Sequence, residues 1–114
     1  MPNNSDHIRN YYSFRFLRFP YSLLFDFKYA DVSNDAKILF ALMYDRICLS
    51  EKNGFYDKQG RVFIYYTIKE IESTLHCSHN KAIRMLNELE GIKLIQRAKQ
   101  GQGRPTKFYI KRVF

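Results

Sequence analysis

The sequence predicts an α+β domain, a winged helix-turn-helix with an additional N-terminal arm and β-hairpin. Three observations point there. Two amphipathic helical patterns follow one another across residues 67–90, separated by the polar break His76-Cys77-Ser78. Two strand-like stretches, Leu94–Lys99 and Lys107–Val113, then flank a glycine-containing loop, which makes residues 94–113 the wing. The basic charge is also concentrated in that last region. The chain carries a net +8, and residues 91–114 hold Lys93, Arg97, Lys99, Arg104, Lys107, Lys111 and Arg112 with no acid. A chain of 114 residues supports one domain with a real core and not two. The expected division is an arm over 1–19 and the winged-helix domain over 20–114.

The elements follow in order. Met1–Asn10 is polar and reads as a poorly ordered terminus. Tyr11–Phe19 interleaves aromatics with Arg15 and Arg18. An extended segment packed on a core or a second subunit is preferred here to a platform for single-stranded bases. Pro20 ends that run, and Tyr21–Phe25 fits one helical turn. Ser33-Asn34-Asp35 starts the central support helix: Ser33 caps it, and Asp35 favours the positive end of its dipole. Ile38, Leu39, Leu42, Met43 and Ile47 give the expected buried stripe, to about Leu49. After the polar turn Ser50–Asn53 and Gly54, Phe55-Tyr56-Asp57 and Val62–Tyr66 flank Lys58-Gln59-Gly60-Arg61 as a hairpin. Val62–Tyr66 occupies the place of the strand that precedes the second helix and pairs with the wing.

Thr67 and Glu70 stand at capping-box spacing, and Ile68, Ile71 and Leu75 share one face of the helix they open. Ser78 caps the next helix, which buries Ala82, Ile83, Leu86 and Leu89 and is expected to end near Gly91. In a helix-turn-helix this second helix, residues 78–90, enters the major groove with the face opposite its buried one. Asn80 on that face suits adenine, Arg84 suits guanine, and Lys81 suits a base edge or a phosphate. His79, Ser78 and Thr67 are expected on phosphates beside helix N-termini. Asn87 lies on the same face, and Glu88, four residues after Arg84, is expected to hold that arginine. The wing loop carries Gln102 and Arg104 toward the minor groove or the backbone. Lys99 and Lys107 are read as facing each other across the hairpin base, a repulsion that an intervening phosphate would relieve.

Other classes are set aside. No apolar run approaches the roughly 18–20 residues of a membrane span, and no signal-peptide pattern opens the chain. Cys48 and Cys77 are isolated and read as reduced thiols of a cytoplasmic protein. His76, Cys77 and His79 cluster without the second ligand pair a structural zinc site needs, so no metal or other cofactor is expected. No phosphate-binding GxxxxGK loop or hydrolase motif occurs, and no enzymatic activity is expected.

Four segments, in order, resemble a known family: Ser33–Lys37 (SNDAK), Leu49–Gly54 (LSEKNG), Val62–Thr67 (VFIYYT) and Cys77–Ala82 (CSHNKA). Together they are similar to the N-terminal domain of RepA_N-type replication initiators of plasmids and conjugative elements in low-GC Gram-positive bacteria. The resemblance runs from about Phe16 to Tyr109. It implies a winged helix that binds repeated double-stranded DNA sites at a replication origin, as a homodimer. It also implies contact with host replication proteins through a C-terminal region that family members carry beyond this point, so the chain is expected to be an N-terminal domain or a short relative. Two rival readings use the same fold: a transcriptional regulator, and a protein-interaction or dimerisation module.

Overall fold

A computed structural model describes residues 16–99, 101 and 103–113. The expectations placed on residues 1–15 and on Gln102 lie outside the described residues. Helix α1 (Ser22–Phe25) and a 3-10 turn (Phe27–Tyr29) lead into α2 (Asn34–Lys52). Strand β1 (Ile64–Tyr65), helices α3 (Ile68–Leu75) and α4 (His79–Gly91), and strands β2 (Ile95–Ala98) and β3 (Lys107–Ile110) follow. The strands form one antiparallel sheet in the order β1-β3-β2, with Ile64 opposite Phe108 and Arg97 opposite Phe108 from the other side.

Helix α2 starts where the sequence signals it. Ser33 is in the extended region, its hydroxyl accepts the Ala36 N–H at 3.2 Å, and Asp35 lies in the first turn. The buried face keeps Leu39, Met43 and Ile47 of the expected stripe but not Ile38. Ala36, Leu39, Phe40, Met43 and Ile47 are sealed, Leu42 is half-buried, and Ile38 is 41 % exposed. Ile38 lies about 140° around the helix from Met43, so a face centred on Phe40, Met43 and Ile47 turns Ile38 outward. There it borders a pocket of about 250 Å³ with Leu75, Cys77 and Met85.

The expected hairpin over 55–66 is reduced to a single bridge, Tyr56 to Val62, around a side-chain-built turn. The Asp57 carboxylate accepts the Arg61 N–H at 2.8 Å, the Gln59 N–H at 2.9 Å, the Arg61 Nε–H at 2.9 Å and the Tyr109 hydroxyl at 2.9 Å. A turn held by its own aspartate and tied to β3 has no need of a strand ladder. Val62–Tyr66 does pair with the wing, through Ile64 and Tyr65. Arg46 fastens this strand to α2: its guanidinium donates to the Tyr65 carbonyl at 2.9 Å, pairs with Glu70 at 2.8 Å and lies 4.0 Å from the centre of the Tyr66 ring.

Helix α4 closes the core with Ala82, Met85, Leu86 and Leu89, each at most 1 % exposed. It does not end on a left-handed glycine. Lys93 takes the left-handed conformation at φ 64°, the Leu94 N–H reaches the Leu89 carbonyl at 2.9 Å, and the Lys93 N–H reaches the Glu90 carbonyl at 3.0 Å. These paired bonds form a Schellman stop that swings the chain into β2.

Leu89→Ala is expected to lose about 2–5 kcal/mol of stability through the cavity it leaves, measured by urea unfolding. Asp57 gives a pH signature. Burial alone raises its pKa, but the bonds from Arg61, Tyr109 and Gln59 outweigh it and hold the carboxyl at about 2, against 3.8 ordinarily. Its contribution is therefore complete above the ordinary carboxylate range and is lost as pH falls from about 4 to about 2. Asp57→Asn should lower stability at neutral pH, and its urea midpoint should fall less than that of the parent chain between pH 5 and pH 2.

Candidate nucleic-acid interface

Helix α4 is gripped on three sides, and the fourth is bare. Its first flank meets the N-terminus of α2. Glu88 accepts the Ser33 N–H at 2.9 Å and the Ser33 hydroxyl at 2.8 Å, and Lys81 pairs with Asp35 at 2.6 Å. Glu88 therefore fastens α4 to α2 and does not hold Arg84. One carboxylate satisfies both donors of the residue that caps α2, which outweighs a surface pair along the helix. The Lys81–Asp35 pair is half-exposed, where an ion pair contributes about 0–1 kcal/mol. That is too weak to fix the Lys81 ammonium against a competing phosphate.

The second flank meets the wing. Arg97 of β2 donates from Nε to Glu90 at 3.0 Å, from its backbone N–H to the same carboxylate at 3.3 Å, and from Nη2 to the Asn87 amide oxygen at 2.6 Å. Three bonds from one residue fix the angle between wing and helix far more firmly than a single surface pair does. Arg97 was not singled out from the sequence, and Asn87 was placed on the outward face without an assigned contact. Arg97 counted as one of seven wing bases, and only its register beside Phe108, on the helix side of the sheet, reveals its use.

Between these flanks Asn80, Arg84 and Asn87 are exposed along one line of α4. The side chains of Asn80 and Arg84 make no hydrogen bond or ion pair with any described residue. Helix α3 completes the motif. Thr67 accepts the Glu70 N–H at 3.0 Å while Glu70 accepts the Thr67 N–H at 3.1 Å, and Ser78 accepts the Lys81 N–H at 3.1 Å. Both expected caps are formed. The Thr67 hydroxyl also donates to Glu70 at 3.3 Å, so both its donors face a carboxylate, an arrangement that does not suit phosphate binding. His79 lies 3.4 Å from Glu72. The turn between the helices is made by His76 in the left-handed region, at φ 52°.

A groove of about 410 Å³ separates α4 from the wing. Ile83 and Leu86 form its helical wall, and Lys99, Arg104 and Arg97 lie along the other side. Lys99 and Arg104 have no ion-pair partner among the described residues. The expected Lys99–Lys107 opposition is not formed. Lys107 lies opposite Ala98, and its ammonium is 4.4 Å from the centre of the Phe63 ring on the sheet face away from α4. The strand alternation that buries Phe108 toward the helices sends Lys107 the other way. One basic residue expected at the interface is thus on the far side of the wing.

Known proteins place this arrangement. A "41 kDa protein" of Lactobacillus helveticus is 34 % identical over 86 residues, which are 75 % of this chain and 24 % of that protein. The chain thus spans about a quarter of the length of that curated relative. Among solved structures, one described as the N-terminal domain of a DNA-binding protein and one described as a Rep–DNA complex each superpose with a TM-score of 0.78 at 26 % identity, over 94 % of this chain and 82 % of theirs. A structure described as an MDR initiator superposes at 0.74 with 32 % identity, over 92 % of this chain and 83 % of its own. The family model for the N-terminus of replication initiator protein A (RepA) matches residues 15–114, and the chain belongs to that family.

Proposed function

We propose that this domain binds double-stranded DNA sequence-specifically at repeated origin sites, as a step in initiating replication of a plasmid or mobile element in a bacterial cytoplasm. The observation that carries the reading is the exposed line Asn80–Arg84–Asn87, with Asn80 and Arg84 unpartnered among the described residues, beside a groove whose far wall holds Lys99 and Arg104. The RepA match and the similarity to a Rep–DNA complex support it. In this reading α4 lies in the major groove. Arg84 and Asn80 meet base edges, Lys81, Ser78 and His79 meet phosphates at the helix start, and the wing lies along the backbone or minor groove through Lys99, Arg104 and Gln102. The domain acts by binding and performs no chemical step. Any contact with host replication proteins belongs to a longer protein.

We also propose a homodimer. Phe16, Tyr21, Leu24, Phe25 and Phe27 are all exposed, Tyr21 stacks on Phe25 at 4.2 Å, and Phe27 is 90 % exposed. So much exposed apolar surface within one short stretch favours a covering partner. Paired half-sites would be read by two copies of α4.

DNase I footprinting on the DNA of the element that encodes the protein tests the first reading: protection of tandem repeats supports it, and an absence of any protected site refutes it. Arg84→Ala should reduce the preference for the protected site over random duplex by about 1–3 kcal/mol in fluorescence anisotropy. Equal losses on both DNAs would remove its base-reading role. Arg104→Ala should weaken all duplexes alike and reduce the slope of log K against log salt by about 1, whereas Lys107→Ala should change that slope much less. Sedimentation equilibrium should show a dimer that Phe27→Ser dissociates.

A further inference from the structure

We propose that Asn87 is a guanine-reading residue, and that Arg97 makes it one by fixing which end of its amide faces outward. The proposal rests on the reading of α4 as the helix that enters the major groove.

Arg97 Nη2 lies 2.6 Å from the Asn87 amide oxygen. A guanidinium has only N–H donors, so the atom facing it must be the oxygen, and the amide can hold one orientation alone. The same guanidinium donates through Nε to Glu90 at 3.0 Å, which anchors it to α4 and neutralises it locally. With its oxygen held toward Arg97, Asn87 turns the two N–H donors of Nδ2 outward, and its position is exposed.

That changes what it recognises. An unrestrained asparagine favours adenine, because it accepts from N6 and donates to N7 together. A donor-only amide loses the first bond and leaves the adenine amino group against another donor. Cytosine offers only a donor. Thymine offers the single acceptor O4, flanked by its methyl group. Guanine carries N7 and O6 side by side, both acceptors, and is the match. Reach is consistent. Asn80, Arg84 and Asn87 lie on one face, and seven residues of helix span about 10 Å. This is about three base steps of the roughly 3.4 Å repeat along a strand.

The test is selection from a randomised duplex library with the 114-residue chain and the variants Asn87→Ala and Arg97→Met, each checked for folding by circular dichroism. The parent chain should enrich a motif in which one position is a G·C pair, and Asn87→Ala should lose about tenfold discrimination at that position alone. Arg97→Met frees the amide, and the same position should shift to A·T while the others keep their preference. A merely structural role for Arg97 would weaken every position together. An A·T pair at the Asn87-dependent position of the parent motif overturns the proposal, as does an Asn87→Ala motif unchanged at every position. Asn87 is exposed, so its variant decides even if Arg97→Met does not fold. A parent chain that binds duplex but enriches no motif refutes base reading by α4 itself, a failure distinct from a motif with the wrong pair.

Discussion

The orientation of α4 follows from one constraint: Ala82, Met85, Leu86 and Leu89 must all be removed from water at once. Only one rotation of the helix about its axis does this, and that rotation sends Asn80, Arg84 and Asn87 to the opposite side. Burial of these four side chains supplies several kcal/mol, well above any single polar contact at the surface. The polar contacts then act as trims. Glu88 on Ser33 and Arg97 on Glu90 and Asn87 leave the rotation unchanged and remove the remaining freedom at each flank.

The hydrogen bonds and ion pairs divide unevenly between core scaffold and exposed surface. Arg46 is spent inside the architecture, joining α2 to β1 and to the capping box of α3. Arg61 is spent on Asp57 and stacks 4.2 Å from the Tyr109 ring. Lys107 lies over Phe63. Among the described residues, Arg84 on α4, Lys93 just past its end, and Lys99 and Arg104 of the wing are left unpaired. A net charge of +8 therefore overstates the charge available to a polyanion at this face, and the free part sits on the exposed line of the helix and along the wing.

Much of this was legible in the sequence where the signal is local. The caps at Ser33, Thr67 and Ser78 are formed by the residues that spacing singled out, and the apolar face of α4 is the periodic one apart from half-buried Ile83. The order of α3, α4, β2 and β3 follows the expected motif. What was not legible is decided across the fold. Ile38 faces outward because the partners of α2 lie around Phe40 and Met43, which no count along one helix reveals. The turn into β2 rests on a left-handed lysine and the turn into α4 on a left-handed histidine, neither of which carries the usual glycine signal. Glu88 was assigned to Arg84 because an i, i+4 partner is the nearest one in sequence, whereas Ser33, 55 residues away, offers two donors in a fixed geometry.

The wing and the helix are often treated as separate contributors, one to affinity and the other to specificity. Here the Arg97 clamp joins them. If a phosphate drew the wing backbone aside, β2 would carry Arg97 with it, and the Asn87 amide would lose the bond that sets its orientation. Conversely, a duplex that satisfies Asn87 as a donor leaves Arg97 in place and keeps Lys99 and Arg104 at their distance from α4. In the proposed reading, sequence preference and backbone grip then reinforce one another through a single guanidinium. The proposed coupling needs no conformational switch, only that the guanidinium which holds the wing to Glu90 also fixes the Asn87 amide.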